Sequence, residues 1–383
     1  MKGVFSVNKV FLCKETTDGE TRVALTPSHV KSLCEIGYDM TVQSEAGFIV
    51  GFSDDDYIAA GAKIAPTSAL GYEVADIVVR INKPENIAGM KENTLHISSF
   101  DVFRERDAVN VYADAGIKLV SLEMMPRSTL AQKMDIQSSQ ASLAGYYAVI
   151  LAASKLPKIF PMMMTPSGNI SPARVFVIGV GVAGLQSIAT AKRLGARVEA
   201  FDTRPVVEEE VKSLGAKFVK IDLGEMGQTE QGYAKELTPE QIELQRQGMA
   251  KVCAQSDIVI TTAKVFGRKA PRILTADMIA QMRPGSIIVD MAVKTGGNVE
   301  GSSPDEDVVL DNGVMIISGD SLERAVPKDA SNMFSGNIFA FLEHFWDAEN
   351  KTIKLDMNDE IIAGCLITSD WKVIHPMLRE VRV

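Results

Sequence analysis

The chain has 383 residues, 46% hydrophobic and 23% charged, which excludes a collagen-like or wholly disordered protein and, at about twice the usual domain length, predicts two domains. Its 40 Lys and Arg against 49 Asp and Glu leave a net charge of −9, with no basic run of the kind that a nucleic-acid surface requires. No apolar run reaches the roughly 18 residues of a membrane-spanning helix, and the N-terminal Met-Lys-Gly-Val-Phe-Ser-Val-Asn-Lys lacks a secretory signal's apolar core.

In chain order, residues 9–13 read as a strand. Thr26-Pro27 reads as a helix start, with Thr26 as N-cap and proline at the first helical position, and Gly37 ends that helix. Further strands are predicted at 40–42, 77–81, 95–98 and 118–122, with a helix over 107–115. Strands alternating with helices predict a mainly parallel sheet covered on both faces. A long apolar helix over 138–153 carries the chain out of this first unit. The prolines and glycine of Phe160-Pro-Met-Met-Met-Thr-Pro-Ser-Gly-Asn169 mark a linker or turn. A second series then places strands at 174–178, 197–201, 217–221, 257–261, 286–290 and 314–317, a complete doubly wound domain. A helix over 331–346 returns the chain to the first unit. The expectation is an α/β protein of two Rossmann-like doubly wound domains with a cleft between them. Residues 1–137 and 327–383 form the first, and residues 138–326 form the dinucleotide-binding domain. Cys13, Cys34, Cys253 and Cys365 lie far apart with no metal-ligand spacing, which predicts buried thiols in a reducing cytoplasm and no metal.

The strongest chemical signal runs from Val175 to Gly195: a buried strand, the turn Gly179-Val180-Gly181-Val182-Ala183-Gly184, and an amphipathic helix. A lone G-x-G-x-x-G carries little weight, but here it sits at a strand-to-helix junction. Gly179 permits the tight turn, Gly181 a close approach to a pyrophosphate, and Gly184 close packing of helix on strand. The helix N-terminus offers free N–H groups and a positive dipole end to phosphate. The following strand ends at Asp202, 18 residues beyond Gly184, where a carboxylate accepts from both hydroxyls of an adenosine ribose and repels a 2′-phosphate. The cofactor predicted is NAD(H) rather than NADP(H), although Arg204, nearby, is a residue type that accommodates the extra phosphate.

A Rossmann domain does not by itself name a reaction. Upstream lies a polar stretch, Pro126-Arg127-Ser-Thr-Leu-Ala-Gln132-Lys-Met-Asp135-Ile-Gln-Ser138. Asp135 and Ser138, three apart, are placed to share one face of a helical first turn, and Arg127 to pair with Asp135 by folding the loop back. Gln132 and Ser138 offer an amide and a hydroxyl suited to a nicotinamide carboxamide and ribose. On composition alone a solvated capping loop is the favoured reading.

This stretch resembles the Arg-Gln-Asp loop of the NAD(H)-binding component of proton-translocating nicotinamide nucleotide transhydrogenases. The resemblance extends along the chain in one order, from Glu20-Thr-Arg-Val-Ala-Leu-Thr-Pro27 through Ser142-Leu-Ala-Gly-Tyr146, Pro161 to Thr165, the glycine fingerprint and Phe201-Asp-Thr-Arg-Pro205. It continues in Gly232-Tyr-Ala-Lys-Glu236, Ile260-Thr-Thr-Ala263, Asp290-Met-Ala-Val293, Gly296-Gly-Asn298 and His375-Pro376. It implies that Arg127, Asp135 and Ser138 hold the nicotinamide end, with Gln132 reaching toward the partner's nucleotide. Gly179, Val180, Gly181, Val182, Ala183 and Gly184 would lie along the pyrophosphate, and Asp202, Thr203 and Arg204 by the adenosine ribose. Thr262 and Ala263 would lie near the dinucleotide, and Gly232 and Tyr233 on a loop that closes over it, followed by a helix capped by Thr238 and Gln241.

The same resemblance implies a homodimer, an NADP(H)-binding partner and membrane-spanning partner subunits. Hydride would pass directly between nicotinamides, coupled to proton translocation, in a chain that is itself cytoplasmic and held at the inner membrane through those partners. Such a transfer needs positioning and exclusion of water rather than a histidine or cysteine acid–base pair.

The chain departs from that pattern at Leu130, in Lys264-Val-Phe-Gly-Arg-Lys-Ala-Pro271 and in Lys328 to Phe334. Alanine dehydrogenase is the competing reading, with Arg22 as a carboxylate holder and His96 as an acid or base. However, Lys294 stands where that enzyme class has a second aspartate. A non-catalytic NAD-binding regulator is the third reading.

Overall fold

The computed structural model describes residues 8–221 and 238–379. They group into two compact units, one built from the chain up to Gln140 and from Arg324 onward, the other from Ala141–Glu323.

The first unit is an eight-stranded sheet in the order Lys63–Ala65, Asp39–Gln43, Lys9–Leu12, Ile77–Asn82, Leu95–Ser99, Lys118–Ser121, Leu366–Ser369, Lys372–Val373. The first six strands are parallel, Leu366–Ser369 runs antiparallel to them, and Lys372–Val373 runs antiparallel to Leu366–Ser369. Central strands such as Ile77–Asn82 are almost continuously buried, because both faces of a parallel sheet are covered. The strand Lys63–Ala65 and the C-terminal pair were not anticipated. Lys63-Ile-Ala65 is too short to show a period. The C-terminal hairpin turns at Asp370-Trp371, both at positive φ (50° and 54°), a geometry usually signalled by Asn-Gly rather than by this pair.

Helix Pro27–Ile36 begins and ends where expected, with Gly37 at φ 117° closing it. The Thr26 hydroxyl does not cap the helix, however. It meets Ser28 Oγ and His29 Nδ1 instead. Helix Pro327–His344, begun by its proline, buries Ser331 and Ser335 together with Phe334, Ile338 and Phe341. The two serine hydroxyls accept from Val23 N and Thr26 N, both at 2.9 Å. The extended Glu20–Thr26 motif thus has its backbone satisfied by a helix more than 300 residues away.

The second unit is a seven-stranded sheet in the order Lys217–Phe218, Arg197–Phe201, Arg174–Ile178, Ile258–Thr261, Ile287–Asp290, Met315–Ser318, Val308–Val309, parallel except for the last strand. Apart from that added edge strand, this is the doubly wound order, with its reversal between Arg174–Ile178 and Ile258–Thr261. Apolar clusters cover both faces, one around Val175, Val177, Ile260 and Val289, the other around Phe176, Ile178, Val259 and Ile288. Residues 160–169 are not a plain linker. Met163–Thr165 and Gly168–Ile170 pair as an antiparallel hairpin whose side chains are all exposed.

Cys13, Cys253 and Cys365 are buried, and burial pushes each thiol up to about 12, which makes them inert; Cys34 is half-buried. Among the described residues no helix is long and apolar enough to cross a membrane.

His96 is fully buried on strand Leu95–Ser99, stacked on Tyr112 at 5.4 Å, and neither ring nitrogen has a hydrogen-bond partner. Burial, with a smaller contribution from Arg80, lowers its pKa to about 3. The folded value lies below the ordinary 6.5, so the neutral ring favours the fold above pH 6.5 and that stability is lost as pH falls toward 3. From pH 7 to pH 5 the His96→Phe variant should lose about 2 kcal/mol less unfolding free energy than the parent. Equal acid sensitivity of the two proteins in urea titrations would contradict this assignment.

Candidate dinucleotide site

In the second unit, the three fingerprint glycines stand in different physical situations. Gly179 has φ 93°, and a Cβ there would meet Thr262 Oγ1 at 2.6 Å, so both conformation and packing demand glycine. A Cβ on Gly184 would lie 2.0 Å from the Gly179 carbonyl oxygen, which demands glycine for packing alone. Gly181 has an ordinary φ of −86°, and a Cβ there would meet nothing within 4 Å. No contact within the described protein requires glycine at 181, and the position opens at the N-terminus of helix Val182–Arg193. Val182 and Ala183 form the first turn of that helix, and Val182 is exposed.

The strands bring the other residues of this unit together. Thr262 N donates to Ile178 O, and Thr262 Oγ1 to Gly179 O, each at 2.9 Å, across the sheet's switch point. Asp202, at the end of strand Arg197–Phe201, accepts from Val180 N at 2.7 Å and from Arg204 N, Nε and Nη2 at 2.8–2.9 Å. Arg204 Nη2 also donates to Val180 O at 3.1 Å, and Thr203 lies in the bend between the two. Arg204 is therefore folded onto Asp202 as a forked ion pair.

Glycine also explains the Ser142–Tyr146 motif. A Cβ on Gly145 would lie 2.2 Å from Ala183 O, and Ser187 Oγ donates to Gly145 O at 2.9 Å, so this helix lies hard against the fingerprint helix.

The loop after the switch point is held by two residues whose role sequence reasoning did not identify. Asp290 is fully buried and accepts from Ala292 N, Asn298 N, Val299 N and Ser302 Oγ. Asn298 Nδ2 then donates to Ala263 O and Pro271 O, both at 2.8 Å, fixing the divergent segment 264–271 at each end. The pattern Asp290…Gly296-Gly-Asn298 carried the signal, but only the contacts give it a reason. Lys294 pairs with Asp320 at 2.5 Å.

In the first unit, the polar stretch folds as a 3-10 turn, Ala131–Met134, followed at once by helix Ile136–Lys155. Ala131 and Met134 are buried, while Gln132 is exposed and makes no hydrogen bond to another described residue. Asp135 caps the helix, accepting from Ser138 N at 3.0 Å and Ser138 Oγ at 2.6 Å. The expected pairing of Arg127 with Asp135 is replaced by another contact. Arg127 Nη2 donates to Gln137 Oε1 at 3.3 Å, and Gln137 Nε2 to Glu123 O at 2.8 Å.

Arg22, weighed as a carboxylate holder, is buried and committed: it grips Glu20 with Nε and Nη2 at 2.7 and 2.8 Å and gives Nη1 to Gln140 at 2.9 Å. Burial pushes the Glu20 carboxyl up, but hydrogen bonds and charge from Arg22, with Asn82 and Arg324, outweigh it and hold it at about 2. Gly232 and Tyr233 lie outside the described residues. Among those described, no group of three or more His, Cys, Asp and Glu is placed to hold a metal.

Two family models match the chain: the N-terminal domain of alanine dehydrogenase/PNT over residues 11–144 and the alanine dehydrogenase/PNT C-terminal domain over residues 148–376. The first part of NAD(P) transhydrogenase subunit alpha from Rhodospirillum rubrum is 41% identical over 379 residues, covering 97% of this chain and 98% of its own. The alanine dehydrogenase of Halomonas elongata is 27% identical over 388 residues, covering 97% of this chain and 96% of its own. The crystal structure of a transhydrogenase from Sinorhizobium meliloti superposes with a TM-score of 0.86 at 38% identity, covering 96% of this chain and all of that one. With both of its units matched and transhydrogenase alpha subunits among its relatives, this chain belongs to the alanine dehydrogenase/PNT family.

Proposed function

We propose that this chain is the NAD(H)-binding component of a proton-translocating transhydrogenase, which presents its nicotinamide to NADP(H) held on a partner subunit. The observation that carries the reading is Gly181, a glycine that neither backbone conformation nor protein packing requires, set at a helix N-terminus. A pyrophosphate approaching the backbone supplies the missing reason. Bound NADH supplies the hydride, from C4 of its nicotinamide.

The residues here bind and orient. N–H groups of the Gly181–Gly184 turn meet phosphate, aided by Gly179 and Val180, and Thr262 and Ala263 line the switch point. Asp202 takes the adenosine ribose hydroxyls, with Thr203 and Arg204 beside it. Arg127, Asp135 and Ser138 hold the nicotinamide end, and Gln132, whose amide no described residue engages, reaches toward the second nucleotide. No proton is exchanged with substrate in the transfer, so positioning and removal of water are the chain's whole contribution. The saturated Arg22 and the buried, low-pKa His96 support this over an alanine dehydrogenase reaction, which would use both.

The chain would work as a homodimer, peripheral to the inner membrane on its cytoplasmic side through NADP(H)-binding and membrane-spanning partners. Support for the dimer comes from the Met163–Thr165/Gly168–Ile170 hairpin, because a fully exposed two-stranded hairpin is marginal without something packed on it.

Gly181→Ala should leave the melting temperature unchanged and weaken NADH binding by about tenfold or more, since a methyl enters the phosphate path and touches no protein. Tight NADH binding by this variant would remove the main support for the site. Asp202→Asn loosens the fork on Arg204, so NADH affinity should fall and NADPH affinity rise in fluorescence titrations. An unchanged preference would show that this pair does not read the ribose. In the complex with the partner subunit, Gln132→Asn should slow hydride transfer from NADH to an NADP⁺ analogue by about tenfold or more while NADH affinity stays near the parent value. Equal losses in both would sink a transfer-site role for Gln132.

A further inference from the structure

The backbone that carries Gln132 is a single 3-10 turn, Ala131–Met134, and a turn of that length has little internal hydrogen bonding to hold it. The carbonyl of Lys133, next to Gln132, accepts from Asn337 Nδ2 at 2.8 Å, across 204 residues of sequence. The other end of the same amide, Oδ1, accepts from the Ser139 hydroxyl at 2.7 Å. Ser139 follows Ser138 on the first turn of helix Ile136–Lys155. Asn337 therefore ties the Gln132 turn to the segment bearing the Asp135–Ser138 cap, from the buried face of helix Pro327–His344.

Its neighbours on that face are Phe334, Ile338 and Phe341, and an apolar residue would fill such a position without the desolvation that an amide costs. Here both ends of the amide are satisfied, and both partners belong to the candidate nicotinamide loop and its adjoining helix. A helix-borne side chain with few rotamers is also a firmer reference point than another loop would be. We infer that Asn337 is a positioning residue for hydride transfer, setting where Gln132 stands relative to Ser138 without itself touching a nucleotide. This rests on the transhydrogenase reading above.

Asn337→Asp tests it, because a carboxylate still accepts from Ser139 but cannot donate to the Lys133 carbonyl and repels it. In the chain alone, amide hydrogen exchange over residues 130–135 should quicken about tenfold, the equivalent of one lost hydrogen bond. In the complex with the NADP(H)-binding partner, transfer from NADH to an NADP⁺ analogue should slow by about tenfold or more, with the NADH dissociation constant within about twofold of the parent. If the Asp variant does not fold, Ser139→Ala reads the same link by freeing only the amide's orientation, and should give smaller changes in the same sense. A parent complex that transfers hydride normally, beside a variant with unchanged rate or with an equal loss of NADH affinity, overturns the inference alone. A parent complex that transfers no hydride overturns the functional reading, and the inference with it. The exchange data separately report whether the turn is held by Asn337.

Discussion

Backbone crowding at the switch point of the second unit is the constraint on which the rest of that unit depends. The Gly179 carbonyl oxygen sits where a Cβ on residue 184 would be, and the Ala183 oxygen sits where one on residue 145 would be. Two helices and a strand turn therefore converge with no side chain between them. Such contact lets helix Val182–Arg193 start directly off its strand, so that its unpaired N–H groups face the open position at Gly181. Thr262 closes the other side by bonding to Ile178 and Gly179 across the strand-order reversal. The geometry offered to a dinucleotide is thus a by-product of close packing, built before any ligand arrives.

Electrostatics in the two units are arranged differently. Asp202 is the charged centre of the second, and its partner Arg204 forks onto it from two residues away, a local device. In the first unit, Glu20, Arg22, Asn82, Gln140 and Arg324 are drawn from distant parts of the chain into one buried network, every member answering another. Pairing these groups with one another offsets the desolvation that burying them costs.

The α/β class and the parallel strands were legible in the sequence because buried strands and glycine turns write themselves as continuous apolar runs and fixed punctuation. The fingerprint was legible for the same reason, and the capping box at Thr238 and Gln241 is present with both halves formed. What could not be read depends on contact between segments far apart. Asp290 looks like any strand-end aspartate until the N–H groups of residues 292, 298 and 299 turn back on it. The hairpin at 163–170 hid behind prolines that elsewhere mark a linker, and Arg127 bonds to Gln137 while Asp135 caps its helix through Ser138, local contacts that spacing does not reveal.

The split construction of the first unit has a consequence for its biosynthesis. Strand Lys118–Ser121 is flanked on one side by Leu95–Ser99 and on the other only by Leu366–Ser369, which leaves the ribosome some 250 residues later. Until then that strand presents an open, apolar edge, a ready template for mispairing with another nascent chain. The intervening unit is contiguous in sequence and free to fold meanwhile, so a truncation before Leu366 would leave a folded second unit attached to an aggregation-prone, unfinished sheet.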